Sequence, residues 1–163
     1  MRLSLLFSFP WWILLIDKRP KFESMPWYSF KEQARNYLAE INKEKKVLEY
    51  CLFQPGLFTN YLTYPHKSAN HLTPIETPFD FGGRRMIVYA GDLGQKMTFT
   101  TVQDLAGVVV RAVEYEGVWP VVGGIKGSDL SLGEIVALGE ELRGKPTPVS
   151  FIFKAPEHLA DAI

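Results

Sequence analysis

Between residues 29 and 153 the chain alternates helix-period segments with short apolar runs, and that order decides the fold class. Ser29-Phe30-Lys31-Glu32 is a capping-box pattern, in which the serine takes a helix N-cap and the glutamate reaches back to its amide. Phe30, Ala34, Tyr37, Leu38 and Ile41 then recur at helical spacing and give one apolar stripe, ending where the polar run NKEKK begins. Residues 47–53 (VLEYCLF) form a short apolar run closed by Gln54-Pro55-Gly56, which predicts a buried parallel strand. Residues 86–89 and 97–100 predict two strands joined as a hairpin around Gly91-Asp92-Leu93-Gly94. Thr101-Val102-Gln103-Asp104 opens a second helix with Leu105, Val108, Val109, Ala112 and Val113 on one side. A strand is predicted over 118–122, closed by Gly123-Gly124. Ser131 then caps a third helix with Leu132, Ile135, Val136, Gly139 and Leu142 on its stripe, stopped by Gly144, and 149–153 is a last apolar run. Helices and strands in this alternation predict an α/β fold.

Composition sets the outer bounds. The chain has 163 residues, room for one domain, with 18 Lys plus Arg against 18 Asp plus Glu. At 47% hydrophobic and 22% charged it is ordinary for a globular protein and too apolar for a disordered one. A balanced charge argues against a nucleic-acid partner, which calls for a basic surplus. The single cysteine, Cys51, excludes an internal disulfide framework and a cysteine zinc site, and an intracellular, cytoplasmic protein is expected.

The amino terminus departs from this pattern. Residues 3–16 read LSLLFSFPWWILLI, an apolar run shorter than the roughly twenty residues of a membrane span. It lacks a small-x-small cleavage site and is broken by Pro10. Residues 1–24 thus read as an atypical apolar segment, a strand-like run or a start foreign to the domain of residues 25–163, with a membrane or secretory role as the alternative. On the second reading, deleting residues 1–19 would leave the fold unchanged. Residues 60–85, punctuated by Pro65, Pro74, Pro78 and Gly82-Gly83, predict a long irregular excursion, and such loops are commonly functional.

Four blocks in the right order, WYSFKEQARNYL, VLEYCLFQPGLFTNYL, TFTTVQDLAGVVVRAVEYEGVWPVVGG and LSLGEIVALGEELRG, resemble the fungal NmrA-like, isoflavone-reductase-like family of atypical short-chain dehydrogenases. The resemblance spans roughly residues 25–153. It implies a partial Rossmann-like parallel sheet with flanking helices, a small substrate-side α/β portion, and NAD or NADP as cofactor. The family's glycine-rich G-x-x-G-x-x-G turn, which places a helix N-terminus on the pyrophosphate, is not found in this sequence. Gly123-Gly124-Ile125-Lys126-Gly127 has another spacing and reads as a turn. The chain is thus expected to lack the first half of the family domain and to bind dinucleotide weakly.

The resemblance places the family's lysine at Lys31, in the first turn after the Ser29 cap. There it would meet the nicotinamide ribose and lower a neighbouring hydroxyl's pKa. Tyr28 is its candidate catalytic partner, although the usual Tyr-x-x-x-Lys spacing is four and here it is three. Gln54, Pro55, Gly56 and Phe58 follow the end of a predicted parallel strand, where ligands bind in open α/β sheets, and are the candidate cofactor contacts. Asn60, Tyr61 and Tyr64 begin the expected substrate-side loop. No metal site is expected: His66 and His71 are five apart without a third ligand. Cys51, within an apolar strand, reads as a core thiol.

Two functions follow from this reading. One is a reductase acting with NAD(P)H on a small molecule. The other is a non-catalytic NAD(P)-sensing regulator that binds a protein partner. A membrane partner is not expected.

Overall fold

The computed structural model describes residues 2–6, 26–89, 93–144, 146 and 149–152. In chain order they form β1 (Arg2–Leu6), α1 (Pro26–Ile41), β2 (Glu49–Gln54), β3 (Leu57–Phe58), a 3-10 turn (Thr59–Thr63), β4 (Phe79–Asp80), β5 (Arg85–Tyr89), β6 (Lys96–Thr100), α2 (Val102–Glu114), β7 (Val122–Gly124), β8 (Ser128–Ser131), α3 (Leu132–Arg143) and β9 (Val149–Ile152). The fold is α/β, with a parallel sheet and flanking helices, as the alternation predicts.

The parallel sheet has the order β1-β2-β7. Its central strand, β2, is buried on both faces by period-two alternation. Tyr50 and Leu52 join Leu38 of α1 in one cluster, while Cys51 and Phe53 join Leu105 of α2, Phe58 and Trp119 in another. One helix covers each face, so every apolar residue of β2 has a destination. Asn42 ties the end of α1 to the start of this strand. Its Nδ2 donates to the Leu48 carbonyl at 2.7 Å, and its Oδ1 accepts from the Val47 and Leu48 amides at 3.0 Å.

The other two sheets make a second unit around α3. One has the order β3-β6-β8 and the other β4-β5-β9. Met86 and Val88 of β5, Met97 and Phe99 of β6, Phe79, Leu132 and Ile135 form their shared core.

Several sequence expectations are corrected. The hairpin of 86–89 with 97–100 does not form. β5 is held between β4 and β9, and β6 between β3 and β8, so both edges of each strand are taken by other partners. The strands share a core without sharing a ladder. α1 starts at Pro26, a residue suited to the first helical turn, so Ser29 lies within the helix and is not its cap. The stripe of α1 also differs. Leu38 is 4% exposed, whereas Phe30 and Tyr37 are 58% and 69% exposed; Lys31, Ala34 and Ile41 are the half-buried residues in register with Leu38. The strand predicted over 118–122 begins instead at Val122, and Gly123-Gly124 lie within it, not in a turn. A Cβ on Gly123 would stand 2.7 Å from the Cys51 sulfur, so a glycine is what lets β7 close on β2. On the third helix, Leu142 is exposed, off the buried stripe of Leu132, Ile135 and Gly139.

The caps at Thr101 and Ser131 form as predicted, and Gly144 ends α3 in the left-handed conformation. Residues 2–6 are a strand, paired in register from Arg2↔Glu49 to Leu6↔Phe53. Removing them removes a member of the sheet, which corrects the expectation that deletion of residues 1–19 is silent. Residues 7–16 and the glycine-rich turn at 91–92 lie outside the described residues.

Candidate functional site

The carboxyl end of the parallel sheet is where β2 and β7 stop together. Gln54 is in register with Gly124, and its carbonyl accepts the Ile125 amide at 3.0 Å. Pro55, the next residue, is fully buried. β6 reaches the same place through Thr100, a buried hydroxyl that donates to the Ile125 carbonyl at 3.4 Å and accepts from the Gly127 amide at 3.3 Å. In the sequence, only its place before a helix cap sets Thr100 apart. A buried hydroxyl needs partners, but here they lie beyond α2, too far along the chain to be read from spacing.

Gly56 has φ +71, and a Cβ there would collide with the Thr98 carbonyl of β6. Its missing side chain is therefore used by the protein's own backbone. Phe58 packs into the cluster of Cys51, Phe53, Leu105 and Trp119, with the Tyr61 ring edge-on at 5.7 Å. Phe58 is thus a wall of the core behind the strand end.

Asn60 is buried and acts as a clamp. Its Oδ1 accepts the first amide of α2, Val102, at 2.9 Å, while Nδ2 donates to Ser68 Oγ and Gln103 Oε1, each at 3.2 Å. The side-chain amide expected to face substrate is occupied within the protein, so Asn60 fixes the excursion to α2. With Asp104 N bonded to Thr101 Oγ1 at 3.0 Å, the N-terminus of α2 is satisfied internally. Tyr61 is half-buried, and burial pushes its hydroxyl above the usual tyrosine range; Tyr64 is exposed.

Lys31 stands half-buried in the second turn of α1, not the first, and burial lowers its ammonium below the usual lysine value of 10.5. Tyr28 lies on the same helix, three positions earlier. The structure therefore divides the predicted site residues into two groups. Gln54, Pro55, Gly56, Phe58, Asn60, Tyr61 and Tyr64 follow one another on a strand, turn and 3-10 segment, and Tyr28 and Lys31 share the helix that covers β2. Burial also raises the Cys51 thiol, which disfavours the nucleophilic thiolate.

A dinucleotide can be tested against these residues from both ends. At the nicotinamide end they suit it: a strand terminus with open space over Gly124, and a half-buried cation on the adjacent helix. At the pyrophosphate end, no glycine-rich turn leading from a strand into a helix occurs among the described residues. Among the described residues no cluster of three or more His, Cys, Asp or Glu could hold a metal, and no helix is long and apolar enough to cross a membrane.

No protein-family model matches the chain. Over 115 residues it is 27% identical to the oxidoreductase swnN of Metarhizium robertsii, covering 69% of this chain and 33% of that protein. Among solved structures it is similar to an isoflavone reductase, with a TM-score of 0.55 at 17% identity, covering 84% of this chain and 41% of the other. It is also similar to the UDP-glucose 4-epimerase of Thermus thermophilus in complex with NAD, with a TM-score of 0.54 at 16% identity, covering 97% and 57%. The chain thus spans about a third of its curated relative. The fold it shares with these structures is the Rossmann-like α/β fold.

Proposed function

We propose that the chain is the nicotinamide and substrate side of an NmrA-like, NAD(P)(H)-binding oxidoreductase domain that acts on, or senses, a dinucleotide together with a small molecule. The observation that carries this reading is the end of β2. A strand buried on both faces stops beside Gly124 of β7, the helix that packs on one of those faces through Leu38 bears a half-buried lysine, and ligands of open α/β sheets bind at such carboxyl ends. Oxidoreductase swnN and the isoflavone reductase fold support it.

A bound nicotinamide would supply or accept hydride. Around it, Lys31 would bind the ribose hydroxyls through its ammonium and hold a neighbouring hydroxyl nearer deprotonation. The Gln54-Pro55 turn would bound the ring, and Tyr61 and Tyr64 would face the small molecule. The spacing of three between Tyr28 and Lys31 favours a second reading, a regulator that binds dinucleotide and a protein partner without turnover. A cytoplasmic location accompanies either reading.

The test is titration with NADPH and NADH, following nicotinamide fluorescence. The chain alone is expected to bind weakly, because the amides that would hold the pyrophosphate are not among the described residues. Saturable binding in the low micromolar range, about −8 kcal/mol, would overturn that expectation. Grafting a glycine-rich strand–turn–helix half onto the chain should strengthen binding at least about tenfold, or 1.4 kcal/mol. Lys31→Met in the grafted protein should return about 1.5–3 kcal/mol, the scale of a hydrogen bond to a charged group. A graft that does not bind NADPH, or a Lys31→Met variant that binds as well as its parent, would remove the site assignment. Turnover of any reducible carbonyl by the graft would decide against the regulator.

A further inference from the structure

Away from the strand end, Arg84 and Arg143 line one open cleft of about 510 Å3 together with Gly82 and Leu142. Arg84 ends the turn between β4 and β5, and Arg143 is the last residue of α3. The two arginines thus come to the cleft from two different elements. Next to them, Arg85 is fully engaged: its Nε and Nη2 donate to Asp80 Oδ2 at 3.1 and 2.7 Å, while Asp80 Oδ1 accepts the Gly83 amide at 2.6 Å. Asp80 is thus the ion-pair partner of Arg85. No carboxylate among the described residues lies within ion-pair distance of Arg84 or Arg143. Arg143 Nη2 does approach the Gly82 carbonyl, at 3.5 Å, the outer limit of a hydrogen bond.

Arg84 is also the one described non-glycine residue with positive φ, at 54°. A side chain in that region is strained relative to the ordinary helical conformation. Two glycines stand directly before it, so the turn carries its arginine where a glycine would sit without strain.

We propose that this cleft binds a phosphate-bearing small molecule, with the phosphate held between Arg84 and Arg143. Planar guanidinium forks match phosphate oxygens in pairs, and two cations without carboxylate partners match a dianion. The volume is that of a small-molecule site and exceeds a bare phosphate. Leu142, 69% exposed, offers an apolar wall for an organic body. The opposing consideration is the C-terminus of α3, whose carbonyls repel an anion and by themselves account for a cation at position 143. That role requires Arg143 alone and gives Arg84 none, so the two arginines together separate the readings.

The experiment is calorimetric titration of the whole chain with AMP at fixed ionic strength, with adenosine as the control that lacks phosphate. Arg84→Gly relieves the left-handed strain and should fold at least as stably as the parent, which keeps the test free of unfolding. Arg143→Gln keeps a polar side chain at the helix end. Saturable binding of AMP, no binding of adenosine, and an affinity about tenfold weaker in each variant would support the site. Absence of saturable AMP binding, equal binding of adenosine, or an affinity unchanged in either variant would overturn it.

Discussion

At the scale of single residues, Gly56 carries the clearest constraint. Its φ of +71 and the Thr98 carbonyl against its α-carbon leave no place for a methyl group. Gly56→Ala is expected to lower stability by about 2–3 kcal/mol, through strain and overpacking together. A urea midpoint unchanged by the substitution would contradict this. Lys31 offers a pH test. Burial lowers its pKa below 10.5, so between the folded value and 10.5 the unfolded chain binds the proton more tightly. Stability therefore rises with pH across that window and falls as the pH drops and the folded state must carry the charge. Lys31→Met keeps the stem and removes the titration. As the pH rises toward the usual lysine value of 10.5, the parent's stability should climb relative to the variant's, and a difference independent of pH would exclude the effect. Both residues were legible as candidates from the sequence. Their surroundings were not, because what fills the space beside Gly56 comes from β6 and what buries Lys31 comes from the packing of α1. Asn60 shows the same limit. A polar residue in a long loop reads as a substrate contact, and only the approach of Val102 and Gln103 makes it a clamp.

At the scale of elements, caps were the most legible feature because their chemistry is local. Ser131 Oγ accepts the Glu134 amide at 3.2 Å and the Glu134 carboxylate accepts the Ser131 amide at 2.7 Å. Ser131→Ala should cost about 1 kcal/mol, read from the denaturant midpoint; no change would mean that α3 is held by packing alone. The Ser29 box has the same residue pattern, but Pro26 starts the helix earlier and places Ser29 inside it. Strand existence was legible and strand partnership was not. Apolar runs at 86–89 and 97–100 do become strands, but pairing depends on β4, β8 and β9, which are short or lie far along the chain. β1 belongs to this scale as well. Deleting residues 1–6 takes a parallel neighbour from β2 and should lower stability by a few kcal/mol, on the order of its lost hydrogen bonds. It should also promote association through the uncovered edge. A truncated chain with the parent's urea midpoint and monodispersity would show that β1 contributes nothing.

At the scale of the whole molecule, two cores divide the work. The one around β2 includes the strand whose end is proposed for the dinucleotide, and α3, in the other, ends at the arginine cleft. Asn60 ties the loop to α2, and Thr100 ties β6 to the segment that follows β7. The α/β class was legible because helical and strand periods alternate so regularly, and the order of strands within each sheet was not, because it depends on long-range closure. The position of β2 has a kinetic consequence. Its ladder partners come from the beginning of the chain and from beyond residue 121, so the centre of the sheet cannot close until two distant segments have found it. High contact order of this kind slows folding. Once closed, the amides of β2 are covered on both edges and both faces, and they should be among the last in the chain to exchange with deuterated water.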